Sequence, residues 1–232
     1  MYKRQTVHYR QGDSDEDRTD YGEVVLAAIG RVPNTDADWF RSSGLKLDER
    51  GYVTVDGYGR TNLDGVWALG DITPGHALAH RAFEQGITIA EKIAGADPKP
   101  VLDDTVPQVV FSFPEAASVG LTLDQAKARE DVVEPKETAY PMLSNARMLM
   151  SGEGGSMTVV SGAFANNPDM QVVLGVHIVS PIASDLIAEA EQLVGNRVPL
   201  ADAARLIHPH PTFSETLGEA LLKADGRPLH TR

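Results

Sequence analysis

At 232 residues and 25.0 kDa the chain can bury one large hydrophobic core or two small ones. Apolar residues at 42% and charged residues at 23% fit a globular protein, and no apolar run approaches the roughly 18 residues that cross a bilayer. The 33 acidic residues against 21 basic ones leave a net charge of −12, which repels phosphate backbones and argues against a nucleic-acid partner. The opening Met-Tyr-Lys-Arg-Gln lacks the hydrophobic stretch of a secretory signal, so the expected location is cytoplasmic, with no membrane partner. The chain holds 0 Cys, which excludes disulfides, thiolate metal sites and cysteine chemistry of its own. Its seven histidines include one pair at HxxxH spacing, His76 and His80, but no HExxH motif, and no metal is expected.

The first residues read as β structure. Thr6-Val7-His8-Tyr9 alternates, an acidic loop follows at 12–17, and Glu23 to Ile29 runs apolar into Gly30. A continuous apolar strand implies burial on both faces and a parallel sheet. Val32-Pro33-Asn34-Thr35 reads as a turn, Gly51 to Asp56 as a strand, and Val66 to Leu69 as a short buried strand ending in Gly70-Asp71. Helical periodicity then takes over across residues 76–94, with Gly95 where a C-cap belongs. Pro98-Lys99-Pro100 and Asp103-Asp104 mark a linker. Beyond it the pattern is α+β. Strands are expected at Gln108–Phe113, Ser118–Gly120, Glu134–Ala139, Ser156–Ser161 and Val172–Val179, and helices at Thr122–Arg129, Ala183–Gly195, Leu200–Leu206 and Thr212–Ala224. Gly152-Glu153-Gly154-Gly155 reads as a hairpin turn, because it lacks the spacing of a nucleotide loop. Met142, Met148, Met150 and Met157 read as packing residues.

Two places can carry chemistry. Asp71 follows a glycine at the end of an expected strand, where open parallel sheets gather ligands, and the helix starting near His76 would aim free N–H groups into the same space. The competing reading is that Asp71 only opens a turn. The second place is His208-Pro209-His210-Pro211-Thr212-Phe213-Ser214-Glu215. His210 can act as a general acid or base, and Glu215, five residues on, can fix its tautomer. Thr212 to Glu215 is also a capping-box pattern, in which Glu215 bonds back to the Thr212 amide. One carboxylate thus has two competing uses. Either Pro209 or Pro211 could follow a cis peptide.

Taken in order, these segments resemble the carboxyl-terminal half of the flavin-dependent disulfide oxidoreductases. Leu26 to Asn34 is similar to the family's strand closing the nicotinamide-nucleotide domain. Thr61 to Asp71 matches its second flavin motif, and Leu78-Ala79-His80-Arg81-Ala82 with Glu84 and Gly86 matches the helix that follows. Phe113-Pro114-Glu115 with Val119-Gly120 matches the start of its dimerisation domain, and His208 to Thr212 with Glu215 matches its catalytic signature. The resemblance implies the end of an NAD-binding domain at 1–35 and a central FAD-contacting segment at 36–105. An α+β dimerisation domain, with antiparallel sheet and helices, is implied at 106–232. It implies FAD on Asp71 and on the backbone of Ala77, Leu78, Ala79 and His80, with Gly30 close to NAD. It further implies a homodimer in which His210, oriented by Glu215, takes a proton from a dihydrolipoyl thiol.

The family's C-x4-C pair and its two GxGxxG loops are not in this sequence. The chain is therefore expected to be an amino-terminally truncated one that, alone, neither binds FAD tightly nor oxidises dihydrolipoamide. His208 two residues before His210 favours the lipoyl-oxidising members, whose substrate is the dihydrolipoyl group of a 2-oxoacid dehydrogenase complex. Pro209 departs from their usual alanine. Glutathione- and mycothione-reducing relatives share the His–Glu pair and stay open, as does a non-catalytic dimerisation module.

Overall fold

The computed structural model describes residues 4–231. The chain opens with an antiparallel ribbon of β1 (Gln5–Tyr9) and β2 (Arg18–Gly22), registered Gln5 to Gly22 and Tyr9 to Arg18. The second strand therefore lies before the apolar run expected to form it. Residues 23–29 adopt no regular structure, and Val24, Leu26 and Ile29 are 85%, 88% and 98% exposed. An apolar strand is stable only when neighbours pair its backbone and cover both faces. Among the described residues none lies beside this one, and no parallel sheet forms.

Residues 31–78 are held by turns more than by strands. Helix α1 (Asp38–Ser42), not foreseen from the sequence, buries Phe40. The segments expected as strands at 51–56 and 66–69 are reduced to single bridges, Leu47 to Val53 and Arg60 to Trp67. Val66 and Leu69 are each 38% exposed rather than buried. The reason is local. Asp48 Oδ1 accepts from the amides of Arg50 and Tyr52, and Asp56 Oδ1 from those of Tyr58 and Arg60, so side-chain carboxylates turn the backbone where a ladder would otherwise run. Helix α2 spans Ala79–Ile93, and Gly95 takes φ +86° just past its C-cap Ala94.

From residue 108 the sequence patterns match the structure closely. Strands β3 (Gln108–Val110), β4 (Glu115–Gly120), β5 (Val132–Pro141), β6 (Ser156–Phe164) and β7 (Asn167–Ser180) form one antiparallel sheet in the order β3-β4-β7-β6-β5. Helix α3 (Leu123–Ala128) starts on a Thr122–Gln125 capping box. The segment read as a hairpin turn at 152–155 instead follows helix α4 (Ala146–Ser151), with Gly152 as its left-handed C-cap. Helices α5 (Ala183–Gly195), α6 (Leu200–Ala203) and α7 (Glu215–Ala224) complete the domain. Leu186, Ala190, Leu217 and Leu221 pack with Val119, Met157, Val159, Val176 and Ile178 in one core, all nine at most 8% exposed. Met142 and Met148 are also buried, whereas Met150 is 68% exposed.

Where β4 leaves the sheet, the Leu121 amide donates to the Leu174 carbonyl at 2.9 Å, and the two backbones approach closely at Gly175. A Cβ built on Gly175 would overlap the Leu121 carbonyl, and neither backbone can move without breaking the sheet. Gly175→Ala is expected to destabilise the protein by about 2–4 kcal/mol, the range of severe overpacking, with an unchanged m-value in urea unfolding.

Candidate functional site

Helix α7 begins two residues later than the capping-box reading requires. Its N-cap is Ser214, which makes no side-chain cap, and the Thr212 hydroxyl turns away to donate to the Pro209 carbonyl at 2.6 Å. Only half of the box survives, because the Thr212 amide still donates to Glu215 Oε2 at 2.7 Å. That leaves Glu215 Oε1 for the ring of His210, whose Nδ1 lies 2.9 Å away. The two uses of this carboxylate are therefore compatible: one oxygen holds the backbone and the other holds the imidazole. The His210–Pro211 peptide is cis. Asn145, the N-cap of α4, reaches across to donate from Nδ2 to the Thr212 carbonyl at 3.1 Å.

Glu215 is largely buried while the His210 ring is 70% exposed. Burial pushes the Glu215 carboxyl up, but the Thr212 amide, the His210 ring and the more distant His208 outweigh it and hold the group below the ordinary carboxylate value. Among the described residues Nε2 of His210 has no hydrogen-bond partner. With Nδ1 donating to a carboxylate, that nitrogen is the acceptor of a neutral ring and is free to take a proton.

Two neighbouring pairs, not singled out from the sequence, shape this region. The largely buried ring of His208 donates from Nε2 to Oε1 of Glu189 on α5, at 2.8 Å. Gly218 of α7 gives this ring its space, since a Cβ there would lie 2.5 Å from His208 Nδ1. One turn beyond Glu215, Glu219 is 8% exposed and meets His230 through its Oε1 and the ring Nδ1 at 2.8 Å. The i, i+4 spacing of Glu215 and Glu219 was a readable signal for one shared helix face. His210, Glu215, Glu219 and His230 together line a cavity of about 170 Å³, with Asn145 and Leu149 on its other wall. The Tyr140 hydroxyl is buried without a partner among the described residues. Its pKa is pushed up to about 12 by burial first, then by the charges of Glu219 and Glu215.

The other expected ligand residues lie elsewhere. Asp71 sits in a short 3-10 turn, Gly70–Ile72, and with Ala77 lines a separate cleft of about 280 Å³ that also includes Arg31, Asn34 and Tyr52. Helix α2 starts at Ala79, after N-cap Leu78, rather than near His76. No side chain caps it and no acidic residue occupies its first turn, so its N-terminal amides remain available to an anion or a carbonyl. His80 is turned aside, with Nε2 2.7 Å from the Pro107 carbonyl. Gly30, at φ +101°, lines neither cavity. Among the described residues no group of three or more His, Asp or Glu could hold a metal ion, and no helix is long and apolar enough to cross a membrane.

The His208–Glu189 pair makes a pH prediction. The hydrogen bond to Glu189 raises the His208 pKa above its usual 6.5 against the opposing effect of burial. A raised folded-state value stabilises the fold below pH 6.5, and that contribution is lost as pH climbs through the raised value. Urea midpoints should thus fall as pH rises from 6.5 through the His208 titration, and Glu189→Gln should flatten that slope. An equally steep slope in the variant would contradict the assignment.

Residues 106–221 match the pyridine nucleotide-disulphide oxidoreductase dimerisation domain, and residues 3–86 match the pyridine nucleotide-disulphide oxidoreductase domain. Over 227 residues the chain is 39% identical to a dihydrolipoyl dehydrogenase of Cupriavidus necator and 39% identical to one of Geobacillus stearothermophilus. In each case the match covers 97% of this chain and 46% of the relative. The chain spans about half the length of the curated relatives it matches. The crystal structure of LpdA from Mycobacterium tuberculosis superposes with a TM-score of 0.80 at 30% identity, covering 94% of this chain and 47% of that one. The Escherichia coli flavoprotein disulfide reductase RclA shares the fold at 22% identity and a TM-score of 0.74, covering 88% of this chain and 46% of its own. The two family matches, which between them cover most of the sequence, establish that the chain belongs to the pyridine nucleotide-disulphide oxidoreductase family.

Proposed function

We propose that the chain supplies the acid–base and dimer-forming part of a dihydrolipoyl dehydrogenase, a cytoplasmic homodimer that uses FAD and NAD. Its substrate on this reading is the dihydrolipoyl group of a 2-oxoacid dehydrogenase complex. The observation that carries it is the His210 Nδ1–Glu215 Oε1 contact at 2.9 Å, with Nε2 unpartnered on an exposed ring. Dithiol oxidation needs a base that converts a thiol to the nucleophilic thiolate, and an imidazole fixed by a carboxylate does this near neutral pH. A purely structural loop would have no need to leave the ring so open. The exposed Val110, Phe111 and Phe113, at 63%, 80% and 82%, offer the apolar surface that a homodimer would cover.

The residues present fit one edge of a flavin. Asp71 could bond sugar-alcohol hydroxyls in the cleft it shares with Ala77, and the uncapped start of α2 at Leu78, Ala79 and His80 could face the electron-rich edge of the ring. A bound flavin would pass electrons between the sulfur couple and the nicotinamide. A Cβ built on Gly30 would meet nothing within 4 Å, so a nucleotide could approach the backbone there. On this reading residues 1–35 belong to the NAD-binding domain, 36–105 to the flavin-contacting segment and 106–232 to the dimerisation domain. With 0 Cys in the chain, the redox disulfide must come from residues outside it, so the 232-residue chain alone is inactive.

The test is a fusion of this chain behind the flavin- and nicotinamide-binding half of the Cupriavidus necator relative, assayed with dihydrolipoamide and NAD. Turnover is expected, with glutathione disulfide and NADPH giving none. His210→Gln should lower kcat about 10²–10⁴-fold, the scale of a lost general base. A fully active His210→Gln fusion, or a stoichiometric yellow FAD complex of the 232-residue chain alone, would overturn the reading.

A further inference from the structure

The cavity that holds the His210–Glu215 pair holds a second pair built the same way. His230 Nδ1 lies 2.8 Å from Glu219 Oε1, as His210 Nδ1 lies 2.9 Å from Glu215 Oε1. The two carboxylates sit on successive turns of α7, so the two rings hang from one helix face and line the same cavity of about 170 Å³. In both pairs the carboxylate is the more buried partner, at 20% and 10% side-chain exposure, and the ring is the more open one, at 70% and 63%. In both, the second carboxylate oxygen takes a backbone amide: Thr212 on Glu215 at 2.7 Å, His230 itself on Glu219 at 3.2 Å. Each ring is thereby fixed through Nδ1, and Nε2 is left without a partner among the described residues. A latch for the chain's last residues needs none of this. A Lys or Arg on Glu219 would serve, and the ring would not have to face the cavity.

We propose that His230 is a second catalytic base, oriented by Glu219, that takes the proton of the substrate's second thiol. This rests on the dithiol reading given above. A dithiol has two protons to lose. The first thiolate attacks the enzyme disulfide, forming a substrate–enzyme S–S bond and releasing one enzyme thiolate. The second substrate thiol must then be deprotonated while the first base still carries its proton. It attacks the mixed disulfide, closing the substrate disulfide and releasing the second enzyme thiolate. The sum is one dithiol oxidised, one enzyme disulfide reduced and two protons released, one to each imidazole. Two imidazoles on one cavity match two thiols on one substrate.

His230→Asn separates this role from anchoring, because the Asn amide can still donate to Glu219 from nearly the position of Nδ1 and keep the segment in place. In the fused enzyme, acid-quenched samples after mixing with dihydrolipoamide are read by mass spectrometry. His230→Asn should accumulate the mixed disulfide to most of the active sites and lower kcat about 10-fold or more. His210→Gln should form none, because its block comes earlier. The absence of any accumulated mixed disulfide in His230→Asn, at whatever turnover or thermal stability, overturns the second base. If His210→Gln keeps full turnover, the dithiol reading itself fails, a result distinct from this one.

Discussion

The candidate site depends on how one carboxylate divides its two oxygens. Glu215 gives Oε2 to the Thr212 amide and Oε1 to the His210 ring, so the same group starts a helix and aims an imidazole. Charge-assisted bonds of this kind are roughly twice as strong as neutral ones. They let a solvent-exposed ring keep one orientation without being packed. The surrounding scaffold serves that bond. Asn145 ties the Thr212 carbonyl to α4, and His208 is pinned to Glu189 of α5 over the space left by Gly218. The loop before α7 is thus fixed at both ends by side chains from other helices.

The sheet and its helices explain why the loop can be held at all. Leu217 and Leu221 of α7 are at most 1% exposed, packed on the same core as Met157, Val159 and Val176. With one helix face buried there, Glu215 and Glu219 are carried toward the cavity side. The Tyr140 hydroxyl is buried without a partner among the described residues, and burial first, then the charges of Glu219 and Glu215, keeps its proton in place.

Much of this was legible in the residues. Helix α5 occupies Ala183–Gly195 as its periodicity and glycine stop imply, and the five strands of the large sheet lie where alternation and β-branched residues mark them. The His210–Glu215 spacing was readable, but the outcome of the contest between cap and ring was not. It turned on Thr212 spending its hydroxyl on the Pro209 carbonyl, a contact set by loop geometry. Glu23 to Ile29 has the composition of a buried strand yet stays unpaired, because only tertiary context supplies the neighbours that a strand needs. The strands expected at 51–56 and 66–69 dissolved because Asp48 and Asp56 bond to nearby amides, which local pattern alone undercounts. His230 escaped notice because its partner is eleven residues away, beyond any local motif.

The account's central claim is that His210 is held through Nδ1 and offers Nε2 as the proton acceptor. Nitrogen-15 shifts of the neutral His210 ring in the 232-residue chain test it directly. The account predicts a pyrrole-like Nδ1 bearing the proton and a pyridine-like Nε2, with Glu215→Gln removing that bias. A neutral ring protonated at Nε2 would contradict it.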